Sequence, residues 1–196
     1  SRFSKRVFDI IFSSLIIIFI LSWLFPLIGL LIILSSKGPI LFKQKRSGLD
    51  NKEFWCYKFR SMSQNIEADN KQATKGDARI TRIGSFLRKT SLDEFPQFLN
   101  VLKGDMSVVG PRPHMLKHTE QYSELIKKYM VRQLVKPGIT GAAQIRGFRG
   151  ETKEIEEMEG RVKWDVWYIE NWTFFLDINI IARTVLNFIK GDEKAY

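Results

Sequence analysis

Cysteine, histidine and acidic side chains are scarce in this chain, and each scarcity removes a class of explanation. Cys56 stands alone, so no disulfide closes within the sequence, and a single thiol is compatible with a reducing compartment. Its setting between aromatics, in Phe54-Trp55-Cys56-Tyr57, reads as a buried thiol more than a reactive one. His114 and His118 lie one helical turn apart, a spacing that can hold a metal. No cysteine or carboxylate of familiar ligand spacing accompanies them, so solvated or capping roles suit them better. No P-loop, dinucleotide fingerprint, internal repeat or low-complexity tract is present. Acidic residues number 21 against 31 Lys and Arg, a net charge of +10 that suits anionic partners: nucleic acid, lipid headgroups or phosphorylated substrates. With 44% hydrophobic and 13% aromatic residues in 196, one sizeable core is expected and general disorder is excluded. Ser1, in place of Met, suggests a piece of a longer protein or a cleavage scar.

No charged side chain occurs between Asp9 and Lys37. Ile10 to Leu21 is followed by Ser22-Trp23-Leu24-Phe25-Pro26 and by Leu27 to Leu34, a run long enough to read as membrane-inserted. It outruns the apolar part of a secretory signal, and no small-residue cleavage site follows. A straight helix over Val7–Leu34 reaches about 42 Å, beyond the roughly 30 Å of bilayer hydrocarbon. Pro26 near the middle removes an amide donor and crowds the preceding turn, and Gly29 follows it. Arg2, Lys5 and Arg6 precede the run and Lys37, Lys43, Lys45 and Arg46 follow it, whereas a single span concentrates basic residues on one side. Two geometries fit: a helix that enters, bends and returns to the same face, or a tilted span kinked at Pro26.

From Lys37 the composition is that of a soluble domain. Ser35-Ser36-Lys37-Gly38-Pro39 ends the apolar segment as a turn cluster. Ile40-Leu41-Phe42 and Phe54 to Phe59 predict short strands joined through Ser47-Gly48-Leu49-Asp50-Asn51. Ser61 to Asp77 predicts a surface loop or short helix. Helical periodicity covers Ile80–Leu87 and Phe95–Leu102, and His114–Val135 predicts one amphipathic helix. Gly104 and Gly110-Pro111-Arg112-Pro113 break the chain, and Lys136-Pro137-Gly138 reads as a turn. Glu151–Glu170 predicts a charged helix carrying Trp164, Trp167 and Tyr168. Trp172–Ile189, with only Asp177 and Arg183 charged, reads either as a helix lying on a bilayer or as a core-packed terminal helix.

The residues most suggestive of chemistry are in Arg88-Lys89-Thr90-Ser91-Leu92-Asp93-Glu94-Phe95-Pro96. Adjacent carboxylates beside two cations can divide labour: one attacks phosphorus, and the other holds Mg2+ against a diphosphate. A structural account competes, because Ser91 and Glu94 have capping-box spacing and acidic residues in a first turn complement the helix dipole. Pro96 sits badly with that account, since with Ser91 as cap it falls at the fifth helical position, where its missing amide should donate. Gly110-Pro111-Arg112-Pro113 places a guanidinium on a stiff backbone, which suits bidentate phosphate recognition as well as a solvated surface turn. Lys136-Pro137-Gly138-Ile139-Thr140-Gly141 and Arg146-Gly147-Phe148-Arg149-Gly150 set small residues beside cations, where backbone amides can approach a phosphate; Arg146 and Arg149 join the phosphate-binding candidates.

In this order the segments resemble the bacterial sugar transferase family, the monotopic phosphoglycosyl transferases. The likeness rests on Lys5-Arg6-Val7-Phe8-Asp9, Gly38-Pro39-Ile40-Leu41-Phe42-Lys43-Gln44, Tyr57-Lys58-Phe59-Arg60-Ser61-Met62, Ser91-Leu92-Asp93-Glu94, Lys136-Pro137-Gly138-Ile139-Thr140-Gly141 and, most specifically, Asn100 to Pro113. It covers nearly the whole chain. The resemblance implies an α+β, mainly helical fold: a re-entrant membrane helix over 1–36 broken at Pro26, then a cytoplasmic catalytic domain over 37–196 with a small β element and amphipathic interfacial helices. It also implies ping-pong chemistry in which Asp93 attacks the β-phosphate of a UDP-sugar, UMP leaves, and polyprenyl (undecaprenyl) phosphate takes up the phosphosugar. Glu94 is implied as the Mg2+ ligand, and Arg88, Lys58, Arg60 and Arg112 as phosphate- or nucleotide-side groups. The implied place is the bacterial inner membrane with the site facing the cytoplasm, at the first membrane step of exopolysaccharide, O-antigen or capsule assembly; a homodimer is a further candidate partner. Family members often place Ser before the helix-breaking proline, whereas here Phe25 precedes Pro26 and Ser22 lies one turn earlier. Phe148-Arg149-Gly150-Glu151-Thr152 and the N-terminus resemble long members with a C-terminal catalytic domain, which use UDP-glucose or UDP-galactose; a hexose phosphate is the expected cargo.

A basic membrane-surface adaptor would explain the charge and the apolar run but leaves Asp93-Glu94 and the Gly-Pro-Arg-Pro run without a purpose. A nucleic-acid binder fits the charge alone, and an inserted segment beside the basic flanks makes lipid headgroups the better anion.

Overall fold

The computed structural model describes residues 2–63, 74, 76–150 and 154–190. Most of the polar stretch Ser61–Asp77 lies outside the described residues, as do Glu151 and Thr152 at the head of the expected charged helix.

The apolar run is helical throughout. Helix α1 (Arg2–Ile16) passes through one π turn (Ile17–Leu21) into α2 (Ser22–Ser35), making a continuous helix over Arg2–Ser35. Among the described residues it is the one helix long and apolar enough to cross a membrane. Pro26 lies inside α2 without ending it. The π turn shifts the backbone ladder just ahead of the proline, and side chains supply donors there: Ser22 Oγ to the Ile18 carbonyl (2.6 Å) and Trp23 Nε1 to the Phe19 carbonyl (2.9 Å).

One stripe of this helix faces the rest of the chain: Asp9, Ser13, Leu21, Leu24, Ile28 and Ile32 are buried three, four or eight residues apart, with Gly29 beside Ile28. Phe8, Phe12 and Ile16 pack on a core that includes Val101, Met106 and Val108, while Leu24, Ile28 and Ile32 pack with Phe59 and Leu87. Each buried aliphatic contributes roughly 1.5–3 kcal/mol. The opposite face, with Phe19, Trp23, Leu30 and Leu34, stays exposed and suits an apolar solvent. Polar ties hold both ends. Near the N-terminus Asp9 Oδ1 accepts from Val108 N (2.9 Å) and Ser107 Oγ (3.0 Å), and Lys5 pairs with buried Asp177 at 2.6 Å. At the far end the Arg60 guanidinium donates to the carbonyls of Ser36 (2.7 Å), Lys37 and Gly38 (3.3 Å), which form the turn that leaves the helix.

Strands β1 (Leu41–Ser47) and β2 (Glu53–Phe59) form an antiparallel hairpin with Lys43 opposite Tyr57 and Gln44 opposite Cys56. The first strand runs further than its apolar residues suggest, because Gln44 takes an inward position among lysines and an arginine. A second, parallel pair, β3 (Ser107–Val109) with β4 (Gly138–Thr140), lies between the breaks at Gly104 and Gly110 and at the end of the Lys136–Gly138 turn, where no strand is expected. Three-residue strands are too short to show alternation. Their close contact depends on absent side chains: a Cβ on Gly110 would meet the Lys136 carbonyl at 2.5 Å, and one on Gly138 would meet Gly110 N at 2.0 Å.

Helices α3 (Arg82–Lys89), α4 (Gln97–Lys103), α5 (Leu116–Leu125), α6 (Ala142–Ile145), α7 (Ile155–Glu170) and α8 (Phe174–Lys190) complete an α+β, mainly helical fold. The single helix expected over His114–Val135 does not form. Helix α5 stops where Ile126 turns extended, Lys128 takes φ 66°, and a 3-10 stretch (Tyr129–Leu134) follows. That path stacks Tyr129 on Tyr122 and brings Arg132 Nε within 2.7 Å of Asp165, a buried pair whose satisfaction outweighs helical continuity. Helix α8 packs on the core through Asp177 and Ile180, which are fully buried, while Phe175, Ile178, Leu186 and Phe188 face outward.

Replacing Arg60 by alanine strands the carbonyls of residues 36–38, and a loss of about 1–3 kcal/mol is expected. Thermal unfolding in detergent will show a lowered midpoint, with the KM for substrate in the folded fraction nearly unchanged.

Candidate functional site

Helix α3 ends in a tight turn that presents the two carboxylates. Thr81 caps α3 by accepting from Gly84 N (2.9 Å), and the helix closes at Thr90. Ser91 then takes the left-handed conformation (φ 53°), and Leu92–Glu94 form a single 3-10 turn. The capping box suggested by the Ser91–Glu94 spacing does not form, because the Ser91 hydroxyl accepts from Arg149 Nη2 instead. Pro96 precedes the first residue of α4, so its missing amide costs the helix nothing.

Asp93 and Glu94 are each only 7% exposed, and their surroundings differ. Glu94 Oε1 accepts from Lys58 Nζ at 2.7 Å and from Arg112 Nη2 at 2.5 Å, and Glu94 Oε2 accepts from Arg112 Nη1 at 3.2 Å. The Arg112 contact is the forked, two-bond geometry that guanidinium and carboxylate favour. Among the described residues Asp93 accepts no hydrogen bond from a side chain, though Lys58, Arg88 and Arg112 are near enough to act on its charge. Burial opposes the Glu94 carboxylate, yet Arg112 and Lys58 outweigh it and hold its pKa well below the usual glutamate value. For Asp93 burial prevails and raises the pKa above the aspartate value of 3.8, with the pull of Lys58 and the push of Glu94 secondary. Two neighbouring carboxylates, equally buried, thus have opposite characters, one pinned as an anion and one whose ionisation burial opposes.

The scaffold behind this pair was partly hidden in the sequence. Asn100, fully buried in α4, accepts from Tyr57 N (3.0 Å) and donates to the Trp55 carbonyl (2.7 Å), so its amide serves as an edge partner for β2. Helix α4 follows the carboxylate turn directly, and this clasp brings Lys58 on β2 to Glu94. Arg112 is steadied from behind: Arg132 Nη2 donates to its carbonyl (2.8 Å) while Arg132 Nε is held by Asp165. His114 belongs to the same interior cluster and is neither solvated nor capping; its Nδ1 lies 2.6 Å from Tyr129 Oη. Burial, then Arg132 and Arg161, push its pKa well below 6.5, keeping it neutral. The expected buried thiol is present, with Cys56 nearly inaccessible and its pKa raised by burial.

Of the proposed phosphate ligands, Lys58, Arg112 and Arg149 converge on the Ser91–Glu94 turn, and Arg88 stands beside it with Nη1 3.5 Å from Ser61 Oγ. Arg60 and Arg146 are elsewhere. Arg60 closes the end of α2, and Arg146 lies over the Trp164 ring with its guanidinium carbon 3.5 Å from the centroid. The glycines of Lys136–Gly141 serve backbone contact between β3 and β4.

Residues 1–191 match the family described as bacterial sugar transferase. The chain is 55% identical over 183 residues to the UDP-glucose:undecaprenyl-phosphate glucose-1-phosphate transferase of Klebsiella pneumoniae, covering 92% of this chain and 39% of that protein. It is 42% identical over 190 residues to the UDP-N-acetylgalactosamine-undecaprenyl-phosphate N-acetylgalactosaminephosphotransferase of Aeromonas hydrophila, covering 96% and 44%. It is 45% identical over 188 residues to the exopolysaccharide production protein PSS of Rhizobium leguminosarum bv. phaseoli, covering 93% and 94%. The chain therefore spans about two fifths of the first two relatives and nearly all of the third. With the family match running through the membrane-type helix, the carboxylate turn and the Arg112 loop, this chain belongs to the bacterial sugar transferase family.

Proposed function

We propose that this chain transfers a sugar phosphate from a UDP-sugar to undecaprenyl phosphate through a phosphosugar held on Asp93. The observation that carries the reading is the asymmetry of the pair: Glu94 is gripped by Lys58 and Arg112, while Asp93 beside it is buried and accepts no side-chain hydrogen bond among the described residues. A poorly solvated carboxylate with no donor on its oxygens is a better nucleophile than a paired one. An Asp93 oxygen attacks the β-phosphorus of the donor, the bond from that phosphorus to the bridging oxygen breaks, and its electron pair leaves with UMP. An oxygen of the acceptor phosphate then attacks the same phosphorus, the bond to Asp93 breaks, and the carboxylate is restored. Arg112, Arg88 and Arg149 surround the turn with positive charge where the diphosphate would lie. The relatives' names specify glucose and N-acetylgalactosamine donors, and the higher identity to the glucose enzyme favours UDP-glucose.

The donor set suits Mg2+. Glu94 Oε2 accepts one hydrogen bond and so keeps capacity for a further partner, and Mg2+ is commonly held by one or two carboxylates together with substrate phosphates. No group of three or more His, Cys, Asp or Glu that could hold a metal occurs among the described residues, so phosphate and water oxygens would complete the shell. When bound, Mg2+ would offset the diphosphate charge.

We place Arg2–Ser35 in the membrane as a re-entrant helix with its bend at the π turn and Pro26, and the body formed by 37–196 on the cytoplasmic face, where nucleotide sugars are found. The support is that both helix ends are tied to one body, through Lys5–Asp177 and through Arg60. A straight span would set those ends on opposite sides of the bilayer.

Assayed in detergent with UDP-glucose and undecaprenyl phosphate, wild type should release UMP, with activity abolished by chelation and restored by Mg2+; Asp93→Asn should lower the rate at least about a thousandfold. Full activity in Asp93→Asn would overturn the nucleophile assignment. In a pH profile, activity falls on acidification through the raised Asp93 pKa, at a pH above 3.8. Lys58→Met removes the strongest downward pull on that carboxyl, so the acid limb moves to higher pH; an unmoved limb contradicts the assignment. Single cysteines placed near Arg2 and near Lys37 should both be labelled from the cytoplasmic side, and labelling from opposite faces would sink the re-entrant placement.

A further inference from the structure

Gly160 occupies the interior of α7, where alanine is the better helix former. The space a side chain would fill is already taken: a Cβ there would stand 2.3 Å from Phe148 Cε1 and 2.6 Å from Phe148 Cζ. The aromatic ring thus rests directly on the helix backbone. Phe148 begins a short strap between two left-handed glycines, Gly147 (φ 87°) and Gly150 (φ 94°). Its own amide donates to the Ala143 carbonyl (3.1 Å), and the Gly150 carbonyl accepts from Arg161 Nη2 (3.1 Å). Between the two anchors lies Arg149, whose guanidinium reaches the Ser91 hydroxyl at the head of the carboxylate turn.

Arg161 is buried and ties the strap to the scaffold behind Arg112: its Nη1 lies 3.4 Å from His114 Nε2, in the cluster that includes Arg132. Adjacent residues of α7 therefore grip the strap at successive points, Gly160 under the Phe148 ring and Arg161 on the Gly150 carbonyl.

We propose that Gly160 and Arg161 are positioning residues for the transfer reaction, forming a dock on α7 that holds the strap so that Arg149 stands over the Asp93–Glu94 turn. The proposal rests on the reading of that turn as the transfer site. Neither residue touches the carboxylates; both act through Arg149, which supplies positive charge where the donor diphosphate arrives. A methyl at position 160 would lift the Phe148 ring and swing Arg149 off Ser91. If Gly160 served packing alone, its effect would be independent of Arg149.

A double-mutant cycle separates these cases. UMP release by the full chain in detergent, with UDP-glucose and undecaprenyl phosphate, is compared for wild type, Gly160→Ala, Arg149→Ala and the double variant. Gly160→Ala should lower kcat/KM about tenfold, as expected when a substrate-facing group is displaced. The double variant should then be no worse than Arg149→Ala. Phe148→Ala, which removes the anchor without adding bulk to α7, should reproduce the loss and show the same non-additivity with Arg149→Ala. Losses that multiply in both double variants, or a wild-type kcat/KM in Gly160→Ala, would overturn the dock. Absence of UMP release from folded wild type would instead remove the transfer reading, and the dock with it, and is recognised because it does not depend on any variant.

Discussion

The hold of Lys58 and Arg112 on Glu94 is the interaction on which the site depends. Burying a carboxylate costs several kcal/mol unless its oxygens are satisfied, and three hydrogen bonds from two cations satisfy Glu94 almost completely. Among the described residues Asp93 accepts no side-chain hydrogen bond, and burial outweighs the pull of Lys58, Arg88 and Arg112 on its charge. One buried acid is thus paired while, among the described residues, its neighbour accepts no side-chain hydrogen bond, the contrast on which the proposed nucleophile rests. Each cation is fixed by a different part of the fold: Lys58 by β2 and the Asn100 clasp, Arg112 by the loop after β3 and by Arg132 behind it.

The helix over Arg2–Ser35 enters the same construction. Its inner stripe packs on α4, which begins just after the carboxylate turn, and on Phe59 and Leu87, the residues beside Lys58 and Arg88. Its outer face is apolar and exposed, like the outward face of α8. An exposed apolar face and a buried charged turn thus share the packing of α4, Phe59 and Leu87. That arrangement suits a reaction between a water-soluble donor and a lipid-borne acceptor.

Much of this was legible in the residues. The uncharged run between Asp9 and Lys37, the aromatic strand around Cys56, and the adjacent acids of Asp93-Glu94 each announce themselves by composition. The misfit of Pro96 with a capping box also pointed correctly away from a simple helix start, since the turn is 3-10 and the proline precedes α4. Other features were not legible for physical reasons. Arginine looks the same in sequence whether it grips a carboxylate, caps a helix or lies on an indole, so Arg112, Arg60 and Arg146 were indistinguishable until their neighbours were known. The β3–β4 pair is too short to show a period, and its signal lay in Gly110 and Gly138, whose missing side chains permit the contact. Asn100 and His114 gain their roles entirely from residues distant in the chain: Asn100 from Trp55 and Tyr57, His114 from Tyr129 and Arg132.

The central claim is that Asp93 carries the phosphosugar between donor and acceptor. Donor labelled in its β-phosphate, incubated with stoichiometric enzyme and Mg2+ but no polyprenyl phosphate, tests it most directly. The account predicts a burst of UMP approaching one per active chain, with label retained on the protein and mapped by peptide mass spectrometry to Asp93. UMP formation that requires the acceptor, with no label on the chain at any time, would contradict it and favour direct transfer between the two substrates.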